Sequence, residues 1–225
     1  LEMKDKYGDE RRSQIINHEL GKFSDEELIP EEDSVILLTT ENYIKRTLVS
    51  EYRRQHRGGK GKRGMTTKEE DVIVQLVPAS THDYLLFFTN KGRVFRLKAY
   101  EVPAAGLSAK GVAAVNLLAL QPEEKITSII QHGKDSGEDG YLFMATIKGT
   151  VKKTPFKAYA NIRTNGLIAI KLDDGDELCW IKKTSGTDDV IISTSAGQAI
   201  RFDEEDARSM GRTARGVRGV RLRPN

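Results

Sequence analysis

Residues 89–96 read TNKGRVFR, and three other segments of the chain repeat this pattern. They are TTENYIKR at 39–46, TIKGTVKK at 146–153 and TSAGQAIR at 194–201, with starts 50, 57 and 48 residues apart. Each follows an apolar run of strand character and contains a two-residue turn, EN, KG or AG, before a second strand. The chain is therefore predicted to contain four β-hairpins, one in each repeat.

A glycine followed by an apolar residue marks a second fixed point in each repeat, which we call the anchor. The four anchors are Gly64-Met65, Gly111-Val112, Gly166-Leu167 and Gly216-Val217. A basic residue directly precedes three of the anchor glycines, whereas the third repeat has Asn165 there. Another apolar strand follows in the first three repeats, so the unit is four short strands.

This period and strand count predict an all-β, propeller-like array of four-stranded blades. The alternative, a β-sandwich of unrelated hairpins, does not explain the matched anchors. The fourth repeat ends at RLRPN before its last strand, and sheets avoid unpaired edges. We therefore expect a piece of a longer array, with repeats at about 34–82, 83–139, 140–188 and 189–225.

Residues 1–33 lie outside the repeats and contain 11 acidic against 5 basic residues. DERRSQIINHELG predicts a helix between Asp9 and Gly21, and SDEEL has the spacing of a capping box from Ser24 to Glu27. This segment is predicted to be an acidic, partly helical linker or the tail of a preceding domain.

Positive charge is concentrated in two segments of the remaining chain. Residues 42–68 contain nine Lys or Arg and one acid, and residues 207–225 contain six Arg and no acid. The four histidines are scattered, the single cysteine is Cys179, and no apolar run approaches a membrane span. With no catalytic or metal-binding pattern, the sequence indicates a binding module for an anionic partner, in a reducing cytoplasm.

The run QHRGGKG at 55–61 is the strongest candidate for the binding site. Its glycines let backbone N–H groups approach phosphate oxygens, while Arg57 and Lys60 supply charge and Gln55 an amide. A disordered, solubilising loop is the alternative. We favour binding because AAGLSAKGV and SMGRTARGV occupy the same place in later repeats, which predicts a curved positive rim for bent duplex DNA. Other basic residues predicted on this rim are Lys45, Arg46, Arg53, Arg54, Lys62, Arg63, Arg93, Arg96, Lys110, Lys152, Lys153, Arg201, Arg212 and Arg215.

The motif QHRGGKG resembles the box of the C-terminal domain of DNA gyrase A subunits, whose common form is QRRGGKG. The segment ELIPEEDSVILLTTENYIKR is similar to that family's junction with the breakage–reunion region. The resemblance implies a β-pinwheel that wraps duplex DNA without sequence specificity and imposes positive writhe. The implied box residues are Gln55, His56, Arg57, Gly58, Gly59, Lys60 and Gly61, with His56 in place of the commoner arginine.

The resemblance also implies an enzyme outside this segment. It would be an ATP-hydrolysing type IIA topoisomerase of two A and two B subunits, which introduces negative supercoils and uses ATP and Mg²⁺ away from this domain. The domain itself is expected to be monomeric, cytoplasmic and close to the nucleoid, with no catalytic residue and no membrane contact. Two alternatives stay open: the A-type subunit of topoisomerase IV, which bends DNA, and a propeller scaffold that binds an acidic protein.

Overall fold

The structure, a computed structural model, describes residues 3, 6, 25–52, 56–61, 71–133, 136–137 and 139–222. The chain divides into two compact units, residues 1–30 and 31–225. In the first unit a 3₁₀ helix spans Asp25–Leu28, within the SDEEL segment. The helix predicted between Asp9 and Gly21 lies outside the described residues.

The second unit is built from short strands and 3₁₀ helices. Its strands are β1 (Asp33–Thr39), β2 (Tyr43–Leu48), β3 (Ile73–Ser80), β4 (Tyr84–Thr89), β5 (Arg93–Lys98), β6 (Val112–Ala113), β7 (Ile126–His132), β8 (Tyr141–Thr146), β9 (Thr150–Pro155), β10 (Leu167–Ile168), β11 (Leu178–Thr184), β12 (Asp189–Ser193), β13 (Ala199–Asp203) and β14 (Val217–Arg218). The 3₁₀ helices are Val49–Glu51, Ala99–Glu101, Ala114–Asn116, Phe156–Tyr159 and Glu204–Asp206.

These strands form four antiparallel sheets, one for each predicted hairpin. Sheet 1 has the order β3-β1-β2-β6, sheet 2 the order β10-β5-β4-β7 and sheet 3 the order β11-β8-β9-β14. Sheet 4 contains β12 and β13 among the described residues. The prediction of an all-β array of four-stranded blades is confirmed for the first three sheets.

The four strands of one repeat do not belong to the same sheet, although the sequence pattern suggested that they do. Each of the first three sheets takes three strands from its own repeat and the fourth, the anchor strand, from the next repeat. Thus β6 pairs with β2, β10 with β5 and β14 with β9. We call this arrangement the strand handover. The anchor of the first repeat, Gly64-Met65, lies outside the described residues.

The first three hairpin loops contain three residues and the fourth contains five, rather than the predicted two. In the first, Asn42 N–H donates to the carbonyl of Thr39, and Tyr43 N–H donates to the Thr39 hydroxyl at 3.1 Å. The last residue of each of the first three loops has a positive φ, and it is Asn42, Gly92 or Gly149; Gly197, near the end of the fourth loop, also has a positive φ. A three-residue loop that ends in the left-handed region is a common hairpin connection. The repeated Thr and Gly or Asn of the motif are therefore turn residues.

Apolar side chains fill the spaces between consecutive sheets. On β4, Leu85 and Phe87 pack with the residues of sheet 1, whereas Leu86 and Phe88 pack with those of sheet 3. Successive strand residues point to opposite faces, so β4 buries both faces and needs the continuous apolar run that its sequence has. A third, smaller cluster joins Phe143 of sheet 3 to Phe202 of sheet 4.

The handover depends on the anchor glycines. Gly111 has a φ of +82°, and a Cβ there would lie 2.5 Å from the carbonyl oxygen of Ile44. Gly216 has a φ of +108° and would place a Cβ 2.5 Å from the carbonyl oxygen of Val151. Only glycine avoids both the backbone strain and the collision with the strand that receives β6 or β14.

We expect Gly111→Ala to lower the free energy of unfolding by about 1–3 kcal/mol, because alanine is strained at this φ and collides with Ile44. Gly106→Ala is the matched control from the same loop, since its Cβ would meet only Glu51 Oε2, at 3.8 Å. Urea unfolding of both variants measures the difference. Equal stabilities would show that Gly111 does not hold the anchor in place.

Candidate nucleic-acid interface

The loops that precede the anchor glycines carry most of the candidate contacts, and we call them the rim loops. Rim loop 1 comprises the described box residues 56–61, and rim loops 2, 3 and 4 comprise residues 104–110, 160–165 and 207–215. Rim loops 2 to 4 each lead into an anchor strand that pairs with the second hairpin strand of the preceding repeat. They therefore emerge at the same edge of three consecutive sheets.

Rim loop 1 is exposed at all its described residues. Gly59 N–H donates to the carbonyl of His56 at 3.0 Å, and Gly58, at the third position of this turn, has a φ of +87°. A Cβ on Gly58 would meet nothing within 4 Å, so conformation rather than crowding requires glycine here. The turn leaves Arg57 and Lys60 exposed beside open space. Gln55, Arg53, Arg54, Lys62 and Arg63 lie outside the described residues.

Three lysines predicted on the rim lie in the interior instead. Lys45 is fully buried, and its Nζ donates to the carbonyls of rim loop 2 at Gly106 (2.8 Å), Leu107 (2.9 Å) and Ala109 (3.1 Å). An ammonium group has three donors, so all are used within the fold. The expectation that Lys45 lies on the surface is therefore wrong.

Lys152 and Lys153 are corrected for the same reason. Lys152 is fully buried and its Nζ donates to the carbonyls of Ala169, at 2.7 Å, and Arg212. Lys153 is buried and its Nζ donates to the carbonyl of Glu204 at 2.9 Å. Each of these lysines lies on β9 and binds the backbone of the following repeat, so it stabilises the handover.

Arg46 and Arg96, two of the three arginines at the position equivalent to Lys153, have a similar role. Arg46 is partly buried and its Nε donates to the carbonyl of Val102 at 3.2 Å. Arg96 is partly buried, stacks 4.7 Å from the Tyr84 ring centroid and donates to the carbonyl of Ala160. Both guanidinium groups thus join their own strand to the next repeat. This reduces the number of N–H donors that they have left for a ligand.

Arg93 also differs from the predicted exposed rim residue. Its side chain is only 18% exposed and forms a 2.8 Å ion pair with the fully buried carboxylate of Glu124. Its second terminal nitrogen donates to the carbonyl of Asn165 at 2.6 Å. Arg93 therefore neutralises the charge of a buried acid, and its hydrogen bond to Asn165 fixes the end of rim loop 3.

The remaining predicted rim residues do reach the surface. Lys110 and Arg212 are partly exposed, and Lys110 Nζ lies 3.6 Å from the Tyr43 ring centroid. Arg215 is exposed and contacts Asp173, with 2.9 Å between Nη1 and Oδ1. Arg201 is exposed and binds both carboxylate oxygens of Asp189 at 2.6 and 3.1 Å, which lowers the pKa of that carboxyl.

Arg163, which the sequence pattern did not reveal, is an exposed basic residue of rim loop 3. The prediction used the residue directly before the anchor glycine, which is Asn165 in this repeat. In this repeat the basic residue lies three positions before the anchor glycine, in a connection from β9 to Gly166 that is two residues shorter than that from β5 to Gly111. A search for any basic residue between the hairpin and the anchor would have found it.

Within the part of the chain that the structure describes, no group of three or more His, Cys, Asp or Glu residues is arranged to hold a metal ion. Burial raises the pKa of Tyr159 far above its ordinary value, and burial also raises the pKa of the Cys179 thiol. Neither group is activated as a nucleophile. No described helix has the length and apolar character needed to cross a membrane.

Comparison with known proteins places this geometry in a family. A family model described as "DNA gyrase C-terminal domain, beta-propeller" matches residues 33–80, 83–132, 140–185 and 188–225, which together exceed half of the chain. The chain belongs to this family. The four matched segments correspond to the four hairpins and the strands that follow them.

Curated relatives of this gyrase C-terminal domain are similar over nearly its whole length. The DNA gyrase A subunit of Staphylococcus aureus (strain COL) is 48% identical over 222 residues, which are 99% of this chain and 25% of the relative. The DNA gyrase A subunit of Halalkalibacterium halodurans is 49% identical over 220 residues, 98% of this chain and 26% of the relative. The chain thus spans about a quarter of the length of these relatives.

Two solved structures share the fold of this gyrase C-terminal domain. A crystal structure of the C-terminal domain of DNA topoisomerase IV has a TM-score of 0.73 and 28% identity, and the match covers 87% of this chain and 59% of that one. A structure of the DNA gyrase A C-terminal domain has a TM-score of 0.66 and 30% identity, covering 85% and 61%. Both support the β-pinwheel assignment.

The buried Lys152 gives a prediction for stability against pH. Burial, and secondly the charge of Arg212, lowers the pKa of Lys152 from 10.5 to about 8. Between these two pH values the unfolded chain retains a proton that the folded chain has lost, so the contribution of Lys152 to the free energy of unfolding rises with pH.

We expect Lys152→Met to flatten that rise between pH 8 and 10.5, as measured by urea unfolding across this range. Lys91→Met, at an exposed position in the β4–β5 loop, is the control and should keep the wild-type slope. A Lys152→Met curve that runs parallel to the wild-type curve would contradict the assignment.

Proposed function

We propose that this domain binds duplex DNA through its rim loops without reading the base sequence. The observation that carries the proposal is rim loop 1, where an exposed glycine turn presents Arg57 and Lys60 beside open space at Gly58. Backbone N–H groups at such turns bind anions, and the two side chains add positive charge. Phosphate groups, which recur along DNA, suit this arrangement.

The repetition of the rim loops supports a further proposal, that the domain bends DNA and wraps it with positive writhe. Rim loops 2 to 4 emerge at the same edge of consecutive sheets and carry Lys110, Arg163, Arg212 and Arg215. Bending a few tens of base pairs costs about 1–6 kcal/mol, which counterion release from several phosphates offsets. Successive contacts on adjacent sheets would distribute the bend along the DNA.

For the longer protein we propose the activity of DNA gyrase A subunits, the name that the similar relatives carry. In that proposal the protein is part of a type IIA topoisomerase with B subunits, in the cytoplasm, and wrapping by this domain favours negative supercoiling. ATP and Mg²⁺ would act outside the present chain. The described residues include no cluster suited to a metal ion, so we derive no step through either cofactor.

A topoisomerase IV-type function is the second candidate, because that C-terminal domain has a TM-score of 0.73 against this one. In this case the domain would bend DNA without a chiral wrap. The intact run RGGKG after Gln55 and His56, together with the identity of 48–49% to gyrase A subunits, favours the first proposal.

We expect the domain to give a positive shift in linking number when it is bound to nicked circular DNA before ligation. Arg57→Ala combined with Lys60→Ala should abolish the shift, because the box contacts are lost, while most DNA binding persists through the other rim loops. The salt slope of binding should fall by about 2, one unit for each phosphate contact removed. Lys91→Ala combined with Lys125→Ala removes two exposed charges outside the rim loops and should retain the shift.

The outcomes separate the candidates. Binding without any shift in the wild-type domain indicates bending alone, as in the second candidate. If the box variant loses DNA binding and the linking-number shift to the same extent, the proposal that rim loop 1 produces the shift while the other loops provide most of the binding is refuted. Absence of duplex binding would reject the DNA proposal and leave an acidic protein as the partner to test.

A further inference from the structure

An acidic loop lies against the last rim loop. Residues 171–177 read KLDDGDE and lie in the connection from β10 to β11. Lys171 N–H donates to the carbonyl of Ala214 at 3.2 Å, and Asp173 contacts the guanidinium of Arg215 at 2.9 Å. The loop is therefore joined to rim loop 4 by a backbone hydrogen bond and by an ion pair.

The carboxylates of this loop differ in what they contact. Asp176 is buried and accepts hydrogen bonds from the backbone N–H groups of Lys148 and Glu177, which fixes the loop conformation. Asp174 contributes its backbone carbonyl to Lys148 Nζ at 2.6 Å, and its residue is exposed. Asp173 alone among these three holds a rim arginine.

The ion pair of Asp173 and Arg215 is open to solvent, with side chains that are 55% and 61% exposed. Exposed ion pairs contribute little to folding, because solvent already stabilises both charges. The pair matters more for binding, since the guanidinium fork fits a carboxylate and a phosphate equally well. While Asp173 pairs with Nη1 of Arg215, the guanidinium offers a phosphate little net charge.

We propose that Asp173 is an affinity-determining residue, which competes with DNA phosphate for Arg215 and weakens binding at rim loop 4. The inference rests on the proposed DNA binding and deepens it. The other exposed arginine of this repeat that was predicted on the rim, Arg201, is also paired with a carboxylate, that of Asp189, through two contacts. By contrast, the described residues of rim loop 1 include no acid. DNA therefore binds most strongly at the box and must displace a carboxylate at the fourth repeat.

The test compares Asp173→Asn with Asp174→Asn, which changes the net charge equally at the neighbouring position. Binding of a fluorescent duplex of a few tens of base pairs is measured over a series of salt concentrations. Asp173→Asn should bind about threefold more tightly, within the small range typical of an exposed ion pair. Its slope of log K against log salt should steepen by about 0.9, the value for one added phosphate contact. Asp174→Asn should keep the wild-type slope.

Arg215→Gln provides the second half of a double-mutant cycle. In the Arg215→Gln background, Asp173→Asn should give no tighter binding than Asp174→Asn does, because the arginine that it releases is gone. Equal gains from Asp173→Asn and Asp174→Asn in the wild-type background would mean that only net charge matters, and would overturn the proposal. The proposal would also be overturned if the wild-type domain binds DNA and Asp173→Asn leaves the slope of log K against log salt unchanged. A wild-type domain that fails to bind DNA rejects the proposed function itself, which is a distinct result.

Discussion

The strand handover is the constraint on which the rest of the structure depends. Each of the first three sheets is complete only when the next repeat supplies its fourth strand. The anchor glycines permit that strand to approach, and the carbonyls of the rim loops receive Lys45 and Lys152. Because the rim loops lead directly into the anchor strands, the same connection that closes a sheet also sets the position of the candidate DNA contacts.

The basic residues of the repeats consequently have two roles: some join neighbouring sheets and others lie at the surface. Those on the second hairpin strand, such as Lys45 and Arg46, bind carbonyl groups of the following repeat. Those at the rim-loop tips, such as Arg57 and Arg163, lie at the surface. Net charge alone therefore overstates the charge available to a ligand, since part of it joins neighbouring sheets.

The hairpins, the anchors and the family could be predicted because they depend on local signals: turn residues, apolar runs and the box motif. The hydrogen-bond and ion-pair partners of the basic side chains could not be predicted from the sequence. Lys152 and Lys110 both lie in repeated basic positions, yet one is buried and the other is partly exposed. What separates them is a pair of carbonyls around Lys152, one from Ala169 of its own repeat and one from Arg212 of the next, and no spacing within the repeat encodes this pair. Arg163 was missed because it lies three positions before its anchor glycine, where the pattern used only the residue directly before it.

The handover also means that the repeat in the sequence and the sheet in the structure are out of phase by one strand. A recombination event that exchanged one whole repeat between related proteins would replace three strands of one sheet and one strand of its predecessor. The contacts within the partly replaced sheet and the contacts of the exchanged anchor strand with the preceding sheet would both have to fit. Duplication or exchange is therefore constrained at junctions such as Gly111 against Ile44, and compatible neighbours are expected to be inherited together.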